Sequence, residues 1–144
     1  MIILDTNIAS VLVRPGHADL PVVASWLANS TDTDIWITAI TRAELLYGIA
    51  ILPGGAKQRA LAAAASAYFD EIASRILPFG AAEAAAYAQV MAQSRQRGHT
   101  MSVLDGQIAA IAKTVGAAIA TRDEGFADCG VTIINPYQVG CGAG

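Results

Sequence analysis

Four of the twelve acidic residues in this 144-residue chain fall at comparable places. Asp5 ends the opening apolar run MIIL, and Glu44 lies in TAITRAELL, just after the run DIWIT. Asp105 opens the helical stretch SVLDGQIAAIA, and Asp123 follows the run GAAIAT in the segment IATRDEG. Carboxylates gathered at one place need a counter-charge. Two unit charges about 4 Å apart repel by roughly 4 kcal/mol at an effective dielectric of 20, whereas a helix N-terminus offsets only about 0.3–1 kcal/mol. Hard oxygen donors with few nitrogen or sulfur partners select Mg²⁺ or Mn²⁺, ions that keep waters and take up phosphate oxygens. The chemistry such a site would support is the capture of a divalent cation by Asp5, Glu44, Asp105 and Asp123, through which an acidic protein could hold a phosphate-bearing polyanion.

The elements must deliver these side chains to one place. Short β-branched runs (MIIL, DIWIT, RILPF, GAAIAT and VTIIN) alternate with longer helical stretches, which predicts an α/β chain with a parallel sheet covered on both faces. Helices are predicted over about 7–13, 20–29, 41–51, 56–73, 81–97 and 103–115, with breaks at Pro15-Gly16, Pro53-Gly54-Gly55, Pro78, Gly98 and Gly116. In such a sheet the strand C-termini and the helix N-termini that follow them share one edge, so the four acids would meet there. Each acid also has a plainer reading as a helix cap. Thr41-x-x-Glu44, Ser102-x-x-Asp105 and Thr121-x-x-Glu124 all fit a capping box, and Asp5 suits the N-cap of a helix beginning near Asn7. Asp is a poorer box partner than Glu or Gln, so capping explains Asp105 least well.

Composition bounds the rest. The chain reads as a single domain over residues 1–138, and the tail VGCGAG, residues 139–144, has nothing to pack and is expected to fray. A net charge of −3 argues against a broad basic face wrapped around nucleic acid, though not against binding through metal ions or a local patch. Arg95, Arg97 and His99 in SRQRGHT form the candidate patch for substrate or partner contact. Cys129 and Cys141 have neither paired spacing nor accompanying histidines and read as free thiols in a reducing cytosol. The opening apolar run is too short for a signal peptide and no segment approaches the roughly 20 apolar residues of a membrane span, so a cytoplasmic location is expected. His17 and His99 read as surface residues rather than general bases. The helical stretches ALAAAASAYF and AAEAAAYAQVMA carry more Ala and aromatics than one small core needs, which predicts an exposed apolar face for a partner.

The segments ILDTN, TAITRAELLYG, SVLDGQIAAIA and ATRDEGF, with VTIINPY near the end, together resemble the PIN-domain ribonucleases, specifically the VapC toxin family and its FitB-like members. The resemblance spans nearly the whole chain. It implies a three-layer α/β/α sandwich around a parallel sheet, with an acidic quartet that binds Mg²⁺ or Mn²⁺ and hydrolyses RNA. Carried onto this chain, the quartet is Asp5, Glu44, Asp105 and Asp123. Asn7 matches the family's supporting Asn beside the first acid, and Thr121 its hydroxyl residue beside the fourth. A cognate antitoxin and a homodimer are implied as partners. One departure concerns the fourth acid: Asp123 and Glu124 are adjacent and Phe126 follows closely, leaving the choice among Asp123, Glu124 and Asp128, with Asp123 nearest the strand end. Two rival readings are a structure-specific DNA nuclease of related fold and a non-catalytic, Mg²⁺-binding receiver-like module. The former should carry longer basic insertions, and the latter two adjacent N-terminal acids and a Lys near the last strand; here Lys113 falls mid-helix.

Overall fold

The computed structural model describes residues 1–30 and 34–138; the expected frayed tail and Cys141 lie outside the described residues. Five strands, β1 (Ile2–Leu4), β2 (Ile35–Thr38), β3 (Ile76–Leu77), β4 (Ala118–Ala120) and β5 (Ile133–Ile134), form one sheet in the order β3-β2-β1-β4-β5. Every pairing is parallel. Six α-helices connect them: α1 (Thr6–Val13), α2 (Leu20–Ala28), α3 (Ala39–Ala50), α4 (Ala56–Glu71), α5 (Ala81–Gln96) and α6 (Val103–Val115). Their ends fall within two residues of the periodicity-based expectation.

The order of the strands explains the layers. From β1 the chain steps outward through β2 to β3, then returns past β1 to β4 and β5. Right-handed crossovers travelling in opposite directions place their helices on opposite faces. Ile2 and Leu4 accordingly point into a core shared with α1 to α4, around Ile8, Val11, Trp26, Leu45 and Phe69. Ile3 and Ile119 point the other way, into a core with Val90, Ile108, Ile111 and Phe126. The period-two alternation of a three-residue strand thus serves two cores, and all of β1 is buried. Among the described residues no helix is long and apolar enough to cross a membrane.

One rival reading loses its fold, and one expectation is corrected. A receiver-like module has the doubly wound order 2-1-3-4-5, and the observed order is a different topology. The apolar surplus also sits elsewhere than expected. The exposed apolar residues of α4 and α5 are all Ala, whereas large apolar side chains protrude along α3 (Leu46, Tyr47 and the capping Ile51) and at the start of α6 (Val103 and Leu104).

Candidate active site

Where strand order reverses, between β1 and β4, the crossovers leave in opposite directions and open a crevice at the strand C-termini. Asp5 follows β1 at this point. Its N–H still donates to the Ala120 carbonyl at 3.0 Å, extending the β1–β4 ladder by one residue, and its carboxylate caps α1. Oδ1 accepts the Thr6 N–H at 2.7 Å and Oδ2 accepts the Thr121 hydroxyl at 2.9 Å. The Thr121 oxygen in turn accepts the Asp123 N–H at 2.9 Å. Thr121 therefore ties the first acid to the backbone of the fourth across the crevice.

Glu44 arrives from α3. The cap of that helix is Thr38, whose hydroxyl accepts the Thr41 N–H at 3.0 Å, so Glu44 lies one turn deeper than a capping-box partner would. The capping reading for Glu44 is thereby corrected: its Oε1 accepts the Thr6 hydroxyl at 2.7 Å. Thr6 thus links Asp5 to Glu44, one through its backbone and the other through its side chain. Asp105 stands at the third position of α6, where its N–H reaches the Ser102 hydroxyl at 3.1 Å. Asp123 caps a 3₁₀ turn, Glu124–Phe126, through a bond from the Gly125 N–H to Oδ1 at 2.8 Å. The expected Thr121-x-x-Glu124 box is also corrected, because Thr121 turns to Asp5 and Asp123 instead.

Electrostatics couple the four. Burial pushes the Asp5 carboxyl up from 3.8 to about 6; the bonds from Thr121 and Thr6 pull it down, and the charges of Asp105 and Glu44 push it further up. Asp105 is raised as well, by burial first, with Ser102 opposing and the Asp123 charge adding. The leading cause is desolvation rather than the mutual repulsion argued from the sequence, which ranks behind it. Neither ion pair among the described residues involves any of these acids.

The remaining candidates separate clearly. Asp128 accepts His99 Nε2 at 3.1 Å on its carboxylate and Arg97 at 2.6 Å on its carbonyl, in a left-handed backbone conformation (φ 58°). It is engaged with the end of α5, so Arg97 and His99 hold a loop of this chain; Arg95 is exposed. Glu124 is exposed on the 3₁₀ turn. Asn7 is exposed in the first turn of α1, and among the described residues the bonds to the Asp5 carboxylate come from Thr6 and Thr121 instead. Cys129 is a buried free thiol. Thr6 and Gly125 escaped the sequence reading. Thr6 sits between two residues that were singled out, and its place alone could have marked it.

The donor set suits a hard cation. All four side chains offer carboxylate oxygens, and a Cβ at Gly125 would lie 3.1 Å from Asp123 Oδ1 and 3.6 Å from Asp105 Oδ2, so the absent side chain leaves room between those two acids. Among the described residues no group of three or more His, Cys, Asp or Glu side chains is arranged to hold a metal ion by itself. An ion held here would complete its shell with water, as Mg²⁺ commonly does.

These features define an α/β protein with an acidic site at the switch point of a parallel sheet. Comparison with known proteins gives the particular family. Residues 2–131 match the PIN domain. The chain is 38% identical over 140 residues to Toxin FitB of Neisseria gonorrhoeae, covering 96% of this chain and 99% of that one. It is 36% identical over 140 residues, with the same coverage, to VapC ribonuclease Y4jK of Sinorhizobium fredii. The crystal structure of FitAcB from N. gonorrhoeae matches with a TM-score of 0.85 at 37% identity, covering 96% of this chain and 99% of the solved one. The chain belongs to the PIN-domain family and, within it, to the FitB-like VapC toxins.

Proposed function

We propose that this chain is the metal-dependent endoribonuclease of a toxin–antitoxin pair, acting in the cytoplasm. The observation that carries the reading is Asp5: the residue is 3% exposed, and its carboxylate is coupled to Asp105 and Glu44 and met by hydroxyl and amide donors rather than by a cationic side chain. A buried charge of this kind is retained where a cation completes it. Asp5, Glu44, Asp105 and Asp123 would hold Mg²⁺ or Mn²⁺. When bound, the metal supplies a water of lowered pKa and neutralises the phosphate and leaving oxygen.

The residues of the chain do the positioning. Thr121 fixes the Asp5 carboxylate and the Asp123 backbone in one register. Thr6 fixes Glu44 against Asp5, so that a water beside Glu44 has a carboxylate to receive its proton. The acidic edge suits an arginine from an inhibiting antitoxin segment, since a guanidinium pairs bidentately with carboxylates. A cleft of about 450 Å³ between α1, α3 and α4, floored by Val13, Leu45, Ile49 and Leu61 and flanked by Arg14 and Lys57, supports a seat for such a partner. Tyr47 at 68% exposure and Ile51 at 63% support a homodimer through α3.

The test is cleavage of single-stranded RNA, with single-stranded and duplex DNA as competing substrates. RNA is expected to be cut with Mn²⁺ or Mg²⁺ and left intact in EDTA, and Asp5→Asn or Asp105→Asn is expected to abolish cutting. EDTA-resistant cleavage would overturn the metal assignment, and preferential cutting of duplex DNA would favour the DNA-nuclease reading.

A further inference from the structure

We infer that Gly125 is a positioning residue of the acidic site, kept free of a side chain so that Asp105 and Asp123 can share one cation; this rests on the metal-dependent reading above. The backbone does not require glycine here. Gly125 is not among the glycines at positive φ, unlike Gly116 and Gly130, so an ordinary L residue fits its conformation. The packing of the cores does not require it either: the atoms nearest a Cβ at this position are Asp123 Oδ1 at 3.1 Å, Asp105 Oδ2 at 3.6 Å and Asp123 Cγ at 3.6 Å. All three belong to the carboxylates. Gly106, next to Asp105, gives the contrast, because a Cβ there would meet the α5 side chains Met91 and Tyr87.

Gly125 also donates its N–H to Asp123 Oδ1 at 2.8 Å, so the same residue both orients that carboxylate and leaves the space beside it open. A methyl group at 3.1 Å from the oxygen it orients pushes the carboxylate by a few tenths of an ångström. Metal sites hold ligand distances to about 0.2 Å, and Mg²⁺ accepts little departure from octahedral geometry. The displaced carboxylate no longer meets those limits. The short spacing of Asp123-Glu124-Gly125-Phe126, in which the fourth acid and the buried Phe126 are only three residues apart, places this glycine in the gap.

Calorimetric titration of the metal-free protein with Mn²⁺, together with thermal melts in EDTA, tests this on wild type, Gly125→Ala and the control Gly54→Ala, whose Cβ would meet only Gln58 at 3.9 Å. Gly125→Ala is expected to melt in EDTA at or above the wild-type temperature, since Gly→Ala at a compatible φ stabilises through the unfolded chain. Its Mn²⁺ affinity is expected to fall about 10–100-fold, the usual consequence of disturbing a ligand's support. Gly54→Ala should keep the wild-type affinity. If wild type takes up Mn²⁺ and Gly125→Ala takes it up equally well, this inference fails while the metal reading stands. If Gly125→Ala melts several degrees low in EDTA, the glycine serves packing and the inference also fails. If wild type binds no Mn²⁺, both fall.

Discussion

Replacing Asp5 with Asn tests the central electrostatic claim, because the two side chains have nearly the same shape and differ in charge. Raised from 3.8 to about 6, the wild-type carboxyl costs on the order of 3 kcal/mol to ionise in place. Asn removes that cost. Its carbonyl still accepts the Thr6 N–H, but its amide now faces the Thr121 hydroxyl, whose proton loses its acceptor at about 1–2 kcal/mol. The net expectation is a metal-free Asp5→Asn protein about 1–2 kcal/mol more stable than wild type at pH 7.5. For a chain of this size that is roughly 3–6 °C in Tm.

The pH dependence fixes the sign. Between 3.8 and about 6 the native state holds a proton that the unfolded chain has released, so wild-type stability falls as pH rises through that window. At pH 3.5 both states are protonated and the advantage of the variant disappears. Mn²⁺ should invert the order at pH 7.5. Metal at roughly a hundred times its dissociation constant adds about 2.7 kcal/mol to wild type, and less to a protein lacking a ligand. Melts of both proteins in EDTA and in Mn²⁺, at pH 3.5, 5 and 7.5, read all of this. A wild type as stable as the variant in EDTA at pH 7.5 would refute the buried-charge argument. Equal gains from Mn²⁺ would refute Asp5 as a ligand.

Two further substitutions probe the support of the site. Thr121→Val deletes the hydroxyl that lowers the Asp5 pKa and accepts the Asp123 N–H, so the acid limb of the RNA-cleavage pH profile should move to higher pH and stability should fall by about 1–3 kcal/mol; an unmoved limb sinks the link. Gly106→Ala places a Cβ 2.5 Å from the Met91 sulfur and 3.0 Å from the Tyr87 ring, so overpacking should cost about 1–3 kcal/mol in a calorimetric melt, with or without metal.

Periodicity made the helices legible because each carries apolar residues at helical spacing, and α1, α3, α5 and α6 are closed by a Pro or Gly within three residues of their ends. The strands were legible as apolar runs, but their order was not. Nothing local in RILPF or VTIIN states that β3 pairs with β2 or that β5 lies beyond β4, since parallel pairing is set by crossovers that span dozens of residues. Capping was misread for a related reason. Thr38 and Thr41 both precede helical sequence, and only the end of β2 decides which of them becomes the cap of α3. The neighbours of Asp5 were half legible, because Thr121 stands 116 residues away and entered the sequence reading as a helix-cap candidate and as the hydroxyl beside the fourth acid, not as a partner of Asp5.

The cause of the perturbed carboxyls shows where reasoning from residue types stops. Counting acids predicts repulsion, which grows with the number of charges and makes the members of the quartet equivalent. The fold makes them unequal. Asp5 follows a strand sandwiched between two cores and pays mainly in lost solvation, while Asp123 caps an exposed turn. Protonation should therefore begin at Asp5 as pH falls, and the first loss of metal affinity should follow the titration of that buried carboxyl. A single proton released per Mn²⁺ bound near pH 5.5, measured by calorimetry in buffers of different ionisation enthalpy, is the expected signature. Release of two or more would mean that repulsion, shared across the quartet, outweighs the burial of Asp5.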